Sequence, residues 1–476
     1  MTIRSMNAQK IARSAALLAL MAALTVPHGT AHAAAQAPGN TDFNGDGYND
    51  VALGSPNYPG YSGTNTSGLM AVLYGGPDGL TNSRHVIRPA PGCTSWGPCA
   101  RWGQMISAAD VDGDGRTDLI SRGNYDMQVD SWTAQGVTTI ERRVLGPLAA
   151  PWRLAGGQFD DQPGTDIVGP IRGSYWFRVG GWYNRDASAI YPDLDDKSYI
   201  DHEASAATGD IDGDGKLEIA VVASRDSGEG EPGPHLWLIN DPHQAPVKLT
   251  VLGSPSTCAS PPSHGQGCPK ADSEVVMGNV NGDGHTDLVM LTPSTASLQV
   301  WYGRATGPSP APGYSVDLSS LATGAELGPG LAVGDVNGDG WAEIAVGAAK
   351  ATVSGHSEAG AVMVIPGSAN GPVVKRVQTI TQDGIGPIGG SSLPDPIREQ
   401  SKPGDHFGQA ITITDITGDG RGEVIVGTPA KNGGSGMLAV LHGSATGVST
   451  ITAQAVHPSW YGLNSTQANF GEVLLK

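Results

Sequence analysis

Short apolar runs alternate along the chain with polar, glycine-rich segments. Asp50-Val51-Ala52-Leu53-Gly54 leads, after a loop, to Gly68-Leu69-Met70-Ala71-Val72-Leu73-Tyr74-Gly75. Glu343-Ile344-Ala345-Val346-Gly347 leads in the same way to Gly360-Ala361-Val362-Met363-Val364-Ile365, and Glu423-Val424-Ile425-Val426-Gly427 to Gly436-Met437-Leu438-Ala439-Val440-Leu441. Runs this short, rich in β-branched and small residues, predict strands in sheets that pack face to face. Composition points the same way. Gly and Pro number 69 and 34 of 476 residues and charged residues only 16%, which argues against a helical bundle or coiled coil. Hydrophobic residues at 39% are too many for a disordered chain. The expected class is all-β.

A nine-residue pattern, Asp-x-(Asn/Asp)-Gly-Asp-Gly-x-x-(Asp/Glu), precedes the strands. It begins at Asp42, Asp110, Asp210, Asn279, Asp335 and Asp415, with a degenerate copy from Gln158 that carries Gln162 and Pro163 at its fifth and sixth positions. A recurring unit of roughly 40–50 residues plus insertions predicts propeller blades of four strands. Seven units then predict a seven-bladed β-propeller. Phe407-Gly408-Gln409-Ala410-Ile411 and Trp102-Gly103-Gln104-Met105-Ile106 read as strands entering their loops, and no such strand precedes Asp42. Phe470-Gly471-Glu472-Val473-Leu474-Leu475 matches it at the other end of the chain. The C-terminal strand is therefore expected to complete the first blade and close the ring, which protects edges that a sheet otherwise exposes.

Arg4, Lys10 and Arg13 precede the uncharged stretch Ala15 to Val26, and small-x-small sites follow at Ala31-His32-Ala33 and Ala33-Ala34-Ala35. This is the pattern of a secretory signal peptide over residues 1–35, which leaves 36–476 as a single propeller domain outside the cell. About 12 apolar residues are too few to span a bilayer, so no membrane span is expected. Cys93 and Cys99, and Cys258 and Cys268, each share a Gly/Pro/Ser-rich loop and are expected to oxidise as pairs in that compartment. With 28 Lys+Arg against 46 Asp+Glu the formal net charge is -18, and no basic stripe offsets it, which sets the chain against nucleic acid and anionic membranes.

The acidic loops carry the candidate chemistry. A hard divalent cation takes six or more oxygens, and side chains at positions 1, 3, 5 and 9 with the carbonyl of position 7 would supply five. Glycines at positions 4 and 6 let the backbone wrap the ion. The candidate ligands are Asp42, Asn44, Asp46 and Asp50; Asp110, Asp112, Asp114 and Asp118; Asp210, Asp212, Asp214 and Glu218; Asn279, Asn281, Asp283 and Asp287; Asp335, Asn337, Asp339 and Glu343; and Asp415, Thr417, Asp419 and Glu423. Up to six Ca2+ ions are expected. The Asp110 and Asp210 loops carry the most acid, the Asn279 loop the least, and the Gln158 segment is expected to bind none.

The Phe-Gly element, the acidic loop and Gly427-Thr428-Pro429 or Gly54-Ser55-Pro56 resemble the FG-GAP repeat family, known best from the β-propeller at the head of integrin α subunits. The resemblance covers essentially all of residues 36–476 and is weak around Gln158. It implies metal loops on one face, and recognition of a protein or carbohydrate ligand on the opposite face. That face would hold the long irregular segments 54–68, 84–101, 253–272, 350–359 and 381–404. A monomer is expected.

Between Tyr175 and Tyr199 aromatic residues crowd the chain. Trp182 and Tyr183 are the candidate ligand contacts there, against the alternative that these rings fill a blade interface. No Gly-x-Ser-x-Gly elbow or His-Glu-x-x-His pair occurs, and His202-Glu203 lacks a second histidine. A binding module is thus expected. The alternative implied by similar calcium-loop propellers is a polysaccharide lyase working through His, Arg or Tyr.

Overall fold

The computed structural model describes residues 41–59, 68–91, 101–124, 126–133, 136–144, 155–157, 159, 166–171, 174–178, 200–225, 233–240, 247–251, 273–321, 326–384, 400–451, 453–463 and 467–476. The chain divides into Met1–Ala35 and Gln36–Lys476, and the first of these lies outside the described residues.

The second unit is a β-propeller of antiparallel sheets, each a meander in chain order except where the C-terminal strand joins the first. One sheet holds Val51–Ser55, Leu69–Leu73 and His85–Pro89, with Val473–Leu474 on its inner side. The next holds Met105–Ala109, Asp118–Arg122, Asp126–Thr133 and Gly136–Val144. Four-stranded sheets also form from Ile200–Gly209 to Val247–Val251, from Glu274–Gly278 to Tyr314–Asp317, from Leu331–Gly334 to Gln378–Ile380, and from Ala410–Thr414 to Gln454–Val456.

Two expectations are corrected here. Among the described residues there are six four-stranded blades, not seven. The unit around Gln158 yields a three-stranded sheet of Ala155–Gly157, Asp166–Ile171 and Ser174–Arg178. That unit carries Gln158 and Gln162 where its counterparts have the acids or amide of positions 1 and 5, and Asp161 and Pro163 where they have the glycine pair. Closure by the C-terminal strand is also only partial. Two register pairs form, Leu53 with Leu474 and Gly54 with Val473, and Leu475 N–H adds a bond to Ala52 O at 3.1 Å. The strand is short because its first residues are used otherwise: Phe470 bridges in parallel to Gly436, and Glu472 N–H turns back to Asn469 O.

The second and third strands of the blades explain the continuous apolar runs. Val51–Ser55, Leu69–Leu73, Glu343–Ala348, Ala361–Ile365 and Glu423–Gly427 are buried at every position. Both faces are covered, so no polar alternation survives. The core lies between blades. Val51, Leu53, Leu69 and Leu73 pack with Ile425, Leu438 and Val440 of the last four-stranded blade, and with Phe470 and Leu474.

Glycines set how closely blades approach. A Cβ on Gly427 would collide with the carbonyl of Gly471, and the same relation joins Gly347 to Gly408 and Gly54 to Gly103. Backbone has little room to retreat in a packed interface, so Gly427→Ala is expected to cost about 3 kcal/mol or more. Thermal denaturation of the variant checks this; an unchanged melt would show that the blades can slide apart freely.

Candidate metal centres

Each loop is built by its own carboxylates before any ligand is considered. In the Asp110 loop, Asp110 Oδ1 accepts from Gly113 N at 2.8 Å and Asp114 N at 3.1 Å, and its Oδ2 from Gly115 N at 2.9 Å. Asp112 Oδ1 accepts from Asp114 N at 3.1 Å and Asp114 Oδ1 from Arg116 N at 2.9 Å. Gly113 and Gly115 hold φ of 76° and 86°, the left-handed region these bonds demand. The first residue is bonded in the same way to the backbone of positions 4 and 6 in the Asp42, Asp210, Asp335 and Asp415 loops. In the Asn279 loop, Asn279 Oδ1 accepts from Gly282 N at 2.7 Å.

The ninth residue begins the second strand and is buried. Its carboxylate reaches back to the N–H of the second residue in all six loops: Asp50 to Phe43, Asp118 to Val111, Glu218 to Ile211, Asp287 to Val280, Glu343 to Val336 and Glu423 to Ile416, at 2.7–3.0 Å. Loss of water raises the carboxyl pKa of Asp50 and Asp118 to about 7, Glu218 to about 8, Asp287 to about 6 and Glu343 to about 7, with neighbouring carboxylates of the same loop adding to the rise. Burial likewise raises Asp110 and Asp212.

The loops differ in how their carboxylates gather, and in the Asp110 loop the Ser131 hydroxyl donates to Asp112 Oδ2 at 3.1 Å. Carboxylate oxygens of Asp110, Asp112 and Asp118 lie within 4.8 Å of one another, as do those of Asp210, Asp212 and Glu218. Asp118 Oδ1 is buried and has no hydrogen-bond partner. A dry, unpartnered carboxylate oxygen amid like charges is unfavourable on its own and fits the coordination shell of a hard divalent cation. The all-oxygen donor set favours calcium or magnesium over softer metals.

Elsewhere the protein itself occupies the ninth side chain. Gly75 N donates to Asp50 Oδ1 at 3.0 Å and Gly303 N to Asp287 Oδ1 at 2.9 Å. Asn337 Nδ2 donates to Glu343 Oε1 at 3.1 Å, and His442 Nδ1 stands 3.4 Å from Glu423 Oε1.

Position 5 is not part of either three-carboxylate group. Asp114 pairs with Arg116 at 3.1 Å and Asp419 with Arg421 at 3.1 Å, and Asp46 pairs with Arg84. Thr417 Oγ1 lies 3.4 Å from Asp415 Oδ1. Asn44, Asn281 and Asn337 each use their side-chain oxygen to accept from the N–H of position 5, that of Asp46, Asp283 and Asp339.

Sequence reasoning missed the bonds that join one loop to the next. The N–H of position 8 donates to the carbonyl of position 1 in the preceding loop: Thr286 to Asp210, Ala342 to Asn279, Gly422 to Asp335 and Asn49 to Asp415. Side chains of position 7 lie over the preceding loop's first glycine, Tyr48 over Gly418, Arg421 over Gly338 and His285 over Gly213. The recurring glycines after the third strands, Gly75, Gly303, Gly367 and Gly443, are the signal in the sequence. Each lies against the carbonyl of a second loop residue, those of Ile416, Ile211, Val280 and Val336 respectively.

Trp182 and Tyr183 and all four cysteines lie outside the described residues. Among the described residues no helix is long and apolar enough to cross a membrane.

Comparison with known proteins places this geometry. The FG-GAP-like repeat profile matches residues 42–121 and 279–346, and the FG-GAP repeat profile matches residues 407–441. No curated protein matches the chain in sequence. Among solved structures, that of an Agrocybe aegerita lectin recognising non-reducing terminal N-acetylglucosamine is similar, at 14% identity and a TM-score of 0.47 over 90% of this chain and 93% of that one. So distant a likeness bears on neither the ligand nor the chemistry of this chain. The matched repeats coincide with the Phe-Gly entries, the acidic loops and the close-packed glycines, and the chain is a β-propeller of FG-GAP repeats.

Proposed function

We propose that this propeller is a calcium-dependent, extracellular binding module: cations brace the loops on one face, and the opposite face recognises a protein or glycan. The observation that carries the reading is the convergence of Asp110, Asp112 and Asp118 around a buried Asp118 oxygen with no partner. Asp210, Asp212 and Glu218 repeat the convergence. Without a cation, neutralising such a cluster would require protons on its carboxylates or basic side chains beside them.

The recognition half of the reading rests on architecture. Loops on a rigid scaffold are where binding surfaces concentrate, and the acidic loops use one end of each blade for bracing. In an antiparallel meander the connection between the second and third strands leaves from the opposite end. The ligand-contact role of Trp182 and Tyr183 and the pairing of the cysteines belong to this same proposal.

Chelation tests it. With EDTA, the melting temperature of the full chain is expected to fall by many degrees and to recover when calcium is restored, and retention on an immobilised glycan or protein ligand should be lost in parallel. An unchanged melt in EDTA would overturn the calcium reading.

A further inference from the structure

The two loops with three converging carboxylates stand on either side of the three-stranded sheet. Among the described residues its strand Ala155–Gly157 pairs at one edge only, with Asp166–Ile171. The flanks of this strand are fitted to its neighbours. A Cβ on Gly156 would collide with the methyl group of Ala109, the residue before Asp110. A Cβ on Gly157 would collide with Leu217, the residue before Glu218. Phe159, just beyond the strand, is 1% exposed.

The remaining loops need a cation less. Asn337 gives its amide N–H to Glu343 at 3.1 Å, and Asn281 gives its own to Asp283 at 2.9 Å. His442 faces Glu423. Both oxygens of Asp50 accept backbone N–H groups, from Phe43 and Gly75. In contrast, Asp118 keeps a buried oxygen with no partner. Three carboxylates at positions 1, 3 and 9 occur within reach of one another only in the Asp110 and Asp210 loops among the described residues.

We infer that the Asp110 and Asp210 loops are the two strong calcium sites of this propeller, and that ions held there clamp the three-stranded sheet between its two neighbours. The inference rests on the calcium reading above and adds a rank order and a purpose. An ion that draws Asp110 and Asp118 together fixes Ala109 against Gly156. An ion that draws Asp210 and Glu218 together fixes Leu217 against Gly157. The three-stranded sheet is thus held by the two loops with the most charge.

Calorimetric titration of the chelator-stripped full chain with calcium tests the ranking. Two ions should bind about tenfold or more tighter than any others, since affinity follows ligand charge and site rigidity. Asp112→Asn should remove one strong ion, Asp212→Asn the other, and Asp46→Asn neither. Hydrogen exchange tests the clamp. Backbone amides of residues 155–178 should exchange faster in the stripped protein and in either strong-site variant, while those of residues 423–441 change least. Six equivalent ions, strong binding that survives the Asp112→Asn/Asp212→Asn double variant, or exchange that rises evenly around the ring would overturn the inference while leaving calcium binding intact. Absence of any calcium binding would instead sink both readings together.

Discussion

Deletion of residues 469–476 should abolish cooperative folding. The segment forms only two register pairs with Val51–Ser55, so its contribution is mostly packing rather than strand pairing. Phe470 is fully buried, and Leu474 and Leu475 are 6% and 7% exposed. Phe470 and Leu474 enter the core shared by the first and last four-stranded blades, and Leu475 packs with Phe43, Ala52 and Met70. Three such side chains at about 3 kcal/mol or more each approach the whole stability of a typical domain, about 5–15 kcal/mol. Lys476 goes further, donating to Glu274 Oε2 at 3.3 Å and Pro329 O at 3.4 Å across from its own sheet. The deletion also bares the inner edge of Val51–Ser55, an open template for aggregation. Circular dichroism with heating should find no cooperative transition in the truncated chain. A melt like that of the full chain would show that the ring does not depend on this segment.

The chelated protein should lose stability as pH rises, and the calcium-loaded protein should not. Asp50, Asp118, Glu218, Asp287 and Glu343 titrate near 6–8 when folded, against ordinary carboxylate values of about 4 in the unfolded chain. A folded pKa above the unfolded one means that the native state holds the proton more tightly. The penalty is absent below pH 4, grows between pH 4 and 8, and is complete once the folded groups ionise. A tenfold change in proton affinity is worth about 1.4 kcal/mol, and all five groups act in the same direction. A bound cation reverses the preference, because it stabilises the charged form. In EDTA, urea midpoints measured from pH 5 to pH 8 should therefore fall steadily, and with calcium they should stay flat over the same range. Midpoints that rise with pH in EDTA would contradict the burial of these carboxylates as ionisable, cation-dependent groups.

Much of this was legible from local pattern. The glycine pair of each acidic loop specified left-handed backbone, and Gly45, Gly47, Gly113, Gly115 and their counterparts all take positive φ. The apolar runs after the loops became buried strands, because face-to-face packing leaves no solvent side to mark. Blade number was not legible in the same way. Counting loops assumes that every unit has four strands, and the Gln158 unit contributes only three among the described residues. The matching end segment Phe470 to Leu475 suggested a full closing strand. Its Phe-Gly instead makes the blade-to-blade contact with Gly427 and Gly436, which leaves two residues to pair. Within the loops, spacing alone cannot separate ligands from braces. Position 5 is a candidate ligand by periodicity, and Asp114 and Asp419 also pair with arginines at position 7. Position 9 looks like a simple closing ligand, yet it also ties the loop to its own second residue. Those roles depend on groups brought near by the fold, such as Gly75 and His442.

Bound metal tests the central claim most directly. After exchange into buffer with millimolar calcium and rapid desalting, the full chain should retain calcium when measured by inductively coupled plasma mass spectrometry. The Asp112→Asn/Asp212→Asn double variant should retain less. A full chain that is folded and carries no calcium above the buffer level would contradict the account.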